Sequence, residues 1–365
     1  MEITTYNAAQ LHEFIRSDEF RSMPVIPIST PRAISHMHNP RAEPDDVLLI
    51  IARDAGRMVG YLGVLPDKIF NERSEAHRCG WLSCMWVDPE VRGKGIAKKL
   101  IGTAFDTYHD HILVTEFTPE AKGLYDRSGH FNALRTNDGL RCYLRFNLHE
   151  VLPKKNERYK KLVPVLAVVD ALANVSINMR LRARSPRTSS LIFEPVANID
   201  EEISALIQSY SPHSFERRDA AELNWIKECP WLVTGAEEES KKYHFSVNAT
   251  RFENRFIKVM EGETLRGFMH LTIRDNHLKI PYLFLADKYI PDALEHIYDL
   301  MISQCLNMLT VFHPSIVNYL QKHSSPFVYE RSIKRNYIIT KTLDAHFSEH
   351  ASLLIQDGDA DCAFT

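Results

Sequence analysis

The sequence has few cysteines and no pairing pattern among them. None of the six stands in a Cys-x-x-Cys pair; they are Cys79, Cys84, Cys142, Cys229, Cys305 and Cys362. This spacing argues against a disulfide framework and against a cysteine-rich zinc cluster, and we expect no metal site. The N-terminal stretch also lacks the pattern of a signal peptide, since Glu2 and His12 stand where basic and then apolar residues would be needed. A reduced cytoplasm is the expected location.

A strong excess of charge of one sign is also lacking. The formal net charge is −3 at pH 7, which gives no global reason to expect nucleic acid as a partner. With 44% apolar and 25% charged residues, the composition is typical of globular proteins. A chain of 365 residues exceeds the usual size of one hydrophobic core, so we expect two domains.

Two common phosphate-binding loops are absent. The nucleotide-hydrolase loop needs Gly, four residues, Gly, Lys and Ser or Thr, and the dinucleotide fingerprint needs three glycines followed by an acidic residue. The chain instead contains Trp86 to Leu100, WVDPEVRGKGIAKKL, which predicts a strand ended by Pro89, a loop and a helix. Gly93 and Gly95 allow positive φ, so that loop amides and the helix dipole converge on one point. Three cations surround that point and favour a pyrophosphate there: Arg92, Lys94 and Lys98.

Two stretches resemble the GNAT N-acyltransferase superfamily. Arg92, Gly95 and Ala97 match its motif A, which is Gln or Arg, two residues, Gly, one residue, and Gly or Ala. The stretch TPEAKGLYDRSGHF, Thr118 to Phe131, resembles its motif B. The matching positions of motif B are Ala121, Leu124, Tyr125 and Gly129. It departs from the family at Thr118, where Asn is common, and by the insertion of His130. The predicted order of strands and helices over residues 1–150 also matches the family.

The resemblance implies where an acyl-coenzyme A donor binds. In the family, the strand before the loop bends away from its neighbour, and its free amides hold the pantetheine and polarise the thioester carbonyl. The implied donor-binding residues are Met85, Trp86, Val87, Arg92, Gly93, Lys94, Gly95, Ile96, Ala97, Lys98 and Thr118. Acetyl-coenzyme A is the implied co-substrate, without a metal.

The resemblance also implies catalytic residues. Tyr125 is expected near the thioester sulfur, where it would protonate the leaving thiolate; the alternative is an aromatic residue that only packs under its helix. Glu116 is the nearest acid on the following strand and the candidate base, with Glu72, Asp88 or a water relay as alternatives. Cys84 lacks the His and Asn partners of a thiol enzyme and is expected in the core.

The proline-rich stretch from Met23 to Pro44 predicts a long loop or broken helix. In a GNAT fold it would lie over the acceptor mouth, so that His36, His38 and Arg41 would touch substrate. The alternative is a solvated loop with incidental histidines.

Residues 151–190 predict a helical connector with basic ends. From Pro153 to Arg187 there are nine basic residues against Glu157 and Asp170. We expect the apolar middle, Leu162 to Met179, to be buried between two domains. The alternative is peripheral contact of residues 154–187 with an anionic membrane surface. A transmembrane segment is not expected, because polar residues and a proline interrupt the apolar run. They are Pro164, Asp170, Asn174 and Asn178.

The second half repeats the order of elements in the first. The stretch HPSIVNYLQKHSSPF, His313 to Phe327, takes the place of motif B, with Leu320 where Tyr125 stands. The stretch beginning at Ala286, ADKYIPDALEHIYDL, takes the place of motif A without glycine or Arg in its loop. We therefore expect a degenerate GNAT-like domain that binds no coenzyme A and completes the acceptor site.

Together these patterns predict an α/β (α+β) protein with two tandem GNAT-like domains, each a mixed, mostly antiparallel central sheet flanked by helices. The expected divisions are a catalytic domain at 1–150, the connector at 151–190, the degenerate domain at 191–347 and a loose polar tail at 348–365. The expected function is transfer of an acetyl or short acyl group from acetyl-coenzyme A to a primary amine. The alternative is a non-catalytic acyl-coenzyme A-binding or scaffold module. The acceptor is expected to be a small molecule; its identity, the acyl chain length and the oligomeric state stay open.

Overall fold

The computed structural model describes residues 1–184, 189–348 and 352–364. The first half contains six strands: β1 (Glu2–Tyr6), β2 (Leu49–Asp54), β3 (Arg57–Phe70), β4 (Ala76–Val87), β5 (Ile112–Thr115) and β6 (Phe131–Tyr143). Its helices are α1 (Ala8–Arg16), α2 (Asp18–Ser22), α3 (Thr30–Met37), α4 (Ile96–Thr107) and α5 (Pro119–Ser128). The mixed α/β class is confirmed, and the proline-rich stretch expected as a loop or broken helix contains α3.

Local sequence explains several of these boundaries. Helix α1 begins with a capping box, in which Asn7 and Gln10 bond each other's backbone N–H at 3.0 Å. Helix α5 is capped by the Thr118 hydroxyl and ends at Gly129, whose φ of +71° is the left-handed conformation of a helix C-terminus. The turn between β2 and β3 has positive φ at Ala55 and Gly56, as a tight hairpin requires.

The second half has the same order. Its strands are β7 (Leu191–Val196), β8 (Phe252–Glu261), β9 (Thr264–Arg274), β10 (His277–Leu285), β11 (Met308–Val311) and β12 (Tyr329–Thr340). Between the halves lie α6 (Leu148–Lys155) and α7 (Val163–Arg182), and the remaining helices are α8 (Glu201–Tyr210), α9 (Ala220–Glu228), α10 (Glu237–Lys242), α11 (Ile290–Ser303), α12 (Pro314–Lys322) and α13 (Lys341–Asp344). In the described residues only the β4–β5 and β10–β11 pairs are parallel, so the sheet is mostly antiparallel, as expected.

The two halves exchange their last strands. All twelve strands form one sheet in the order β1-β2-β3-β4-β5-β12-β6-β11-β10-β9-β8-β7. Strand β12 of the second half pairs with β5, and β6 of the first half pairs with β11. Strands β6 and β12 also pair with each other along their length. The sequence predicted the last strand of the first half at Leu140 to Leu148 and placed it within its own domain, whereas β6 lies beside strands of the second half.

A buried ion network also joins the halves. Arg41 contacts Asp67 at 2.6 Å and Glu222 of α9, and Arg218 contacts Asp67 and Glu216 at 2.7 Å each. All five side chains are buried. Burial acts to raise the pKa of Asp67, but the charges of Arg218 and Arg41 outweigh it and lower that pKa. Removing one member would leave an uncompensated buried charge, which typically costs about 3–5 kcal/mol. Arg41 therefore holds the two halves together, and it does not line the cavity described below.

The structure corrects the predicted environment of the connector. The side chains from Leu162 to Met179 were expected to be buried between the domains, yet most of the apolar ones on α7 are exposed. Leu172 is 70% exposed and Val165 is 60% exposed. The hydrophobic cores of the two halves meet elsewhere, in a cluster that contains Trp81 of β4 and Tyr337 of β12.

The structure also corrects the expected loose tail. Among residues 352–364, Leu353, Ile355 and Phe364 belong to the cluster shared by the two halves. The Phe364 ring stacks on Trp231 with centroids 4.7 Å apart. The acidic composition of this stretch suggested solvent exposure, but its apolar side chains bury it.

The strand exchange predicts that residues 1–150 do not fold alone. Strand β5 consists of four residues, all buried in the full chain. Without β12, one edge of this strand would be exposed. We expect this fragment to be insoluble or to lack a cooperative thermal transition by circular dichroism. Co-expression with residues 151–365 is expected to restore a soluble complex. A soluble, cooperatively melting 1–150 fragment would contradict the structural dependence of the first half on β12.

Candidate functional site

The loop before α4 forms a cradle, defined here as residues 92–98. Gly93 and Gly95 have φ of +84° and +78°, and a Cβ added at either would meet no atom within 4 Å. Gly95 is the N-cap of α4 and makes no side-chain cap hydrogen bond. The first amides of a helix have no partner within the helix, so those of α4 are available to a ligand. Three exposed cations stand around them: Arg92, Lys94 and Lys98.

Helix α4 is held close to the sheet by a glycine in β3. A Cβ on Gly60 would lie 3.0 Å from Ile96 and 3.3 Å from Leu100. Both of these side chains are buried, and the helix places its apolar face on β2, β3 and β4. The packing of α4 on the sheet therefore fixes the position of the cradle at the end of β4.

Strands β4 and β5 separate beyond Leu82 and Val114, which form their last pair. We call the gap beyond this pair the slot. On its other side β4 has a bulge opposite β3, where the register shifts between Tyr61 and Gly63 and Cys84 has a φ of +57°. Trp86 and Val87 pair with β3 alone within the described residues, and the stretch from Met85 to Val87 is half-buried. The edge of β4 that faces the slot can therefore offer backbone groups to a ligand.

The slot opens into a cavity of about 410 Å³ built from both halves of the chain. The first half contributes Ser29, Arg32, Leu82, Ser83, Cys84, Met85, Val114, Thr115, Glu116, Phe117, Thr118, Ala121 and Tyr125. The second half contributes Trp231, Tyr243, Phe245, Ser246, Arg274, Lys279 and Asp361. Cys84, expected in the core, is half-buried in the cavity wall.

Tyr125 is buried in α5 and lines the cavity. Its ring packs edge-on against Phe131 at 5.3 Å and Phe117 at 6.0 Å. Burial raises the pKa of its phenol, so the hydroxyl keeps its proton at neutral pH. The ring therefore packs under the helix in a residue that also lines the space beyond the slot, and its role beside a thioester sulfur stays a prediction. Thr118 lines the same space and caps α5.

Glu116 also lines the cavity, and its backbone has a φ of +51°. Its carboxylate forms an ion pair with Arg335 of β12 at 2.9 Å. The alternative acids lie outside the cavity wall. Asp88 caps the turn after β4 and pairs with Arg57, and Glu72 accepts a hydrogen bond from Ser348.

Sequence reasoning missed a second acid in the cavity. Asp361, in the tail, is buried and accepts a hydrogen bond from the Ser83 hydroxyl of β4. Burial raises the pKa of Asp361, and its bond to Ser83 and the charge of Arg32 only partly offset this. The apolar pair Ala363 and Phe364, which anchors the tail, is the only sequence signal that could have indicated it.

Arg32 of α3 was missed as well. It is 1% exposed and lines the cavity, and its Nη1 donates to the Tyr243 hydroxyl at 3.1 Å. Its Nη2 has no hydrogen-bond partner within the described residues. The nearby histidines expected at the acceptor mouth do not line the cavity: His36 is buried beside Arg32, and His38 lies at the end of α3. The proline-rich stretch therefore reaches the cavity through Ser29 and Arg32.

The corresponding positions of the second half differ from the first. Helix α11 follows β10 through a short turn, Asp287–Tyr289, that contains no glycine. Strands β10 and β11 also separate, after Lys279 and Thr310, but the tail fills the edge of β10. Gln356 bonds both backbone groups of Leu283, at 3.1 Å and 3.2 Å. The Gly358 N–H donates to the Pro281 carbonyl at 2.7 Å.

Comparisons with known proteins agree with this geometry. A family model described as acetyltransferase (GNAT) family matches residues 11–130. A search of curated proteins found no match. Two solved structures have a similar fold over nearly the whole chain. A GCN5-related N-acetyltransferase from Anabaena variabilis ATCC 29413 has 12% identity and a TM-score of 0.51, covering 93% of this chain and 72% of its own.

The second solved structure is a conserved protein of unknown function from Enterococcus faecalis V583, a probable N-acyltransferase. It has 9% identity and a TM-score of 0.53, covering 94% of this chain and 73% of its own. At these identities the likeness concerns the fold, whereas the family model concerns the sequence of the half that holds the cradle, the slot and Tyr125. Residues 11–130 of this chain therefore belong to the acetyltransferase (GNAT) family, and the chain as a whole has the fold of the solved GCN5-related N-acetyltransferase.

Proposed function

We propose that this protein is an N-acyltransferase that moves an acetyl or short acyl group from acetyl-coenzyme A to a primary amine by direct attack. The observation that carries the proposal is the continuity of three features: the cradle, the slot and a cavity lined by Tyr125. The family match supports acyl transfer in general. The choice of donor, the amine acceptor and a cytoplasmic location are predictions from the sequence.

The proposed donor site uses the chain's own backbone. The pyrophosphate of coenzyme A fits the cradle, because the amides of α4 lack a cap and Gly93 and Gly95 leave open space. The pantetheine arm would lie in the slot along Met85 to Val87, with the Thr118 hydroxyl on the other side. Backbone amides of β4 would then stabilise negative charge that develops on the thioester oxygen.

Proton transfer needs an acid and a base on opposite sides of the reacting carbon. Tyr125 is the proposed acid, since its protonated hydroxyl can pass a proton to the sulfur as the carbon–sulfur bond breaks. Two carboxylates compete as the base that removes a proton from the attacking amine. Asp361 is buried and accepts a hydrogen bond from Ser83 of β4, whereas Glu116 forms an ion pair with Arg335. We propose Asp361, because a buried carboxylate with a raised pKa is the better proton acceptor.

The second half is proposed to act as the acceptor wall and to bind no coenzyme A itself. Its residues line the cavity, and Gln356 occupies the edge of β10 that corresponds to the donor-binding edge of β4. Arg32 Nη2 offers an unused donor to a polar group of the acceptor.

The direct test of the function is release of free thiol from acetyl-coenzyme A in the presence of amino acids, amino sugars, polyamines and other amines. Acyl transfer to at least one amine, confirmed by mass spectrometry of the product, is expected. Tight binding of acetyl-coenzyme A without turnover on any amine would favour the non-catalytic binding module.

Gly95→Asp is expected to weaken coenzyme A binding by tenfold or more, because it places a carboxylate against the phosphates. Isothermal calorimetry measures the affinity, and the unmodified chain is expected to bind one coenzyme A. Gly262→Asp is the matched control, since Gly262 also has a positive φ and open space but lies in the β8–β9 turn. Equal affinity for both variants, or two coenzyme A molecules per chain, would contradict the assignment.

Tyr125→Phe is expected to lower kcat by about 10²- to 10⁴-fold, the usual contribution of a general acid, with little change in donor affinity. Tyr108→Phe is the control, because it removes a buried hydroxyl that bonds the Val47 carbonyl outside the cavity. Turnover of the Tyr125 variant equal to that of the control would show that Tyr125 only packs and that another group protonates the thiolate.

The two candidate bases differ in their expected pH profiles. Because Asp361 must be ionised to accept a proton, and burial raises its pKa, kcat/KM should fall as pH decreases through a value above the ordinary carboxyl range. Asp361→Asn is expected to remove this acidic limb and most of the activity, and Glu116→Gln to keep both. The opposite pattern would assign the base to Glu116.

A further inference from the structure

Helix α7 presents its apolar side to solvent. Seven exposed hydrophobic residues lie on it and on the turn before it, spaced three or four residues apart with one adjacent pair, so that they form one stripe. We call them the outer stripe: Leu162, Val165, Val168, Val169, Leu172, Val175 and Met179. This orientation is the reverse of a soluble surface helix, whose apolar side normally faces the core.

Three polar residues of α7 bond to the segment that precedes it in the protein body. Asp170 accepts hydrogen bonds from the backbone and ring nitrogens of His149, at 2.9 Å and 2.7 Å. Asn174 bonds both backbone groups of Phe146 at 2.9 Å, and Asn178 accepts from Arg145 at 2.8 Å. These three residues are four apart, on one side of the helix. They fix α7 in the orientation that exposes the outer stripe.

The segment Glu157–Arg182 is long and apolar enough to cross a membrane by length and composition. It does not do so in this fold, because β6 before it and β7 after it belong to the same sheet. A spanning helix would place these two strands on opposite sides of the bilayer. The helix can only lie along a surface, and its 20 residues extend over roughly 30 Å.

Basic residues lie at both ends of the outer stripe. Arg158, Lys160 and Lys161 precede it, and Arg180 and Arg182 follow it; all five are exposed. A second copy of the chain is a poor partner, since both parallel and antiparallel pairing of α7 would bring basic ends together. An apolar surface bounded by negative charge on all sides complements this helix.

We propose that α7 binds the surface of an anionic lipid bilayer. The outer stripe inserts at the boundary between headgroups and acyl chains, and the basic residues at the two ends contact anionic headgroups. The hydrogen bonds of Asp170, Asn174 and Asn178 keep the body of the protein above the membrane. This docking does not depend on which acceptor the cavity takes.

The test is co-sedimentation of the full chain with vesicles of phosphatidylcholine alone or mixed with phosphatidylglycerol. We expect at least tenfold stronger partitioning into the anionic vesicles, weakened by added salt. Two variants should each lose most of this binding. The stripe variant combines Val168→Gln, Leu172→Gln and Val175→Gln. The charge variant replaces four basic residues by Gln: Arg158, Lys160, Lys161 and Arg182. Arg180 is left unchanged because it donates to the Pro326 carbonyl.

Matched controls separate docking from a general surface effect. Ile192→Gln with Tyr329→Gln removes exposed apolar side chains elsewhere, and Lys322→Gln with Lys341→Gln removes exposed charges elsewhere. Both controls should partition like the parent. Absence of binding to anionic vesicles by the parent would overturn the proposal. Light scattering that shows a lipid-free dimer converted to monomer by the stripe variant would also overturn it, in favour of a second copy on this face.

Discussion

The pairing of β12 between β5 and β6 is the constraint on which the rest of the structure depends. It turns two potential sheets into one and leaves neither half complete without the other. The chain that follows β12 then contacts both halves, since Phe364 stacks on Trp231 of the second half and Asp361 reaches Ser83 of the first. The cavity depends on this arrangement, since its wall includes Asp361 of the tail and Trp231, on which the tail packs.

The two halves have the same order of elements but differ at the edges of β4 and β10. The first half has the left-handed glycines, the uncapped helix and the open edge of β4 on which the proposed donor site depends. In the second half the same edge is closed by Gln356, and Leu320 stands in place of a phenol. In the proposed function, the second half therefore supplies part of the cavity wall and binds no donor itself. Such cavities at domain interfaces are a common position for ligand sites.

The sequence predicted the features that depend on local chemistry. A turn, a helix start and a motif spacing each depend on residues that are close in sequence. For this reason the sequence indicated Gly93, Gly95 and Tyr125. The strand exchange could not be predicted, because β6 and β12 have the same alternating pattern whichever neighbour they pair with. The predicted burial of α7 was wrong for a related reason. Asp170 was counted as an interruption of an apolar run, whereas its hydrogen bonds to His149 help to hold the helix against the protein body. Asp361 was missed because acidic composition outweighed the few apolar residues that anchor the tail.

The strand exchange has a consequence for synthesis of the protein on the ribosome. Strand β12 and residues 352–364 emerge after the whole of the first half, so β5 stays without its neighbour while the rest of the first half is already exposed. An unpaired strand edge of this kind is a site of aggregation, and the nascent chain therefore needs protection until β12 has paired with β5. The cavity gains Asp361 only after residues 352–364 have emerged. A product truncated before β12 would therefore lack both the neighbour of β5 and the buried acid of the cavity.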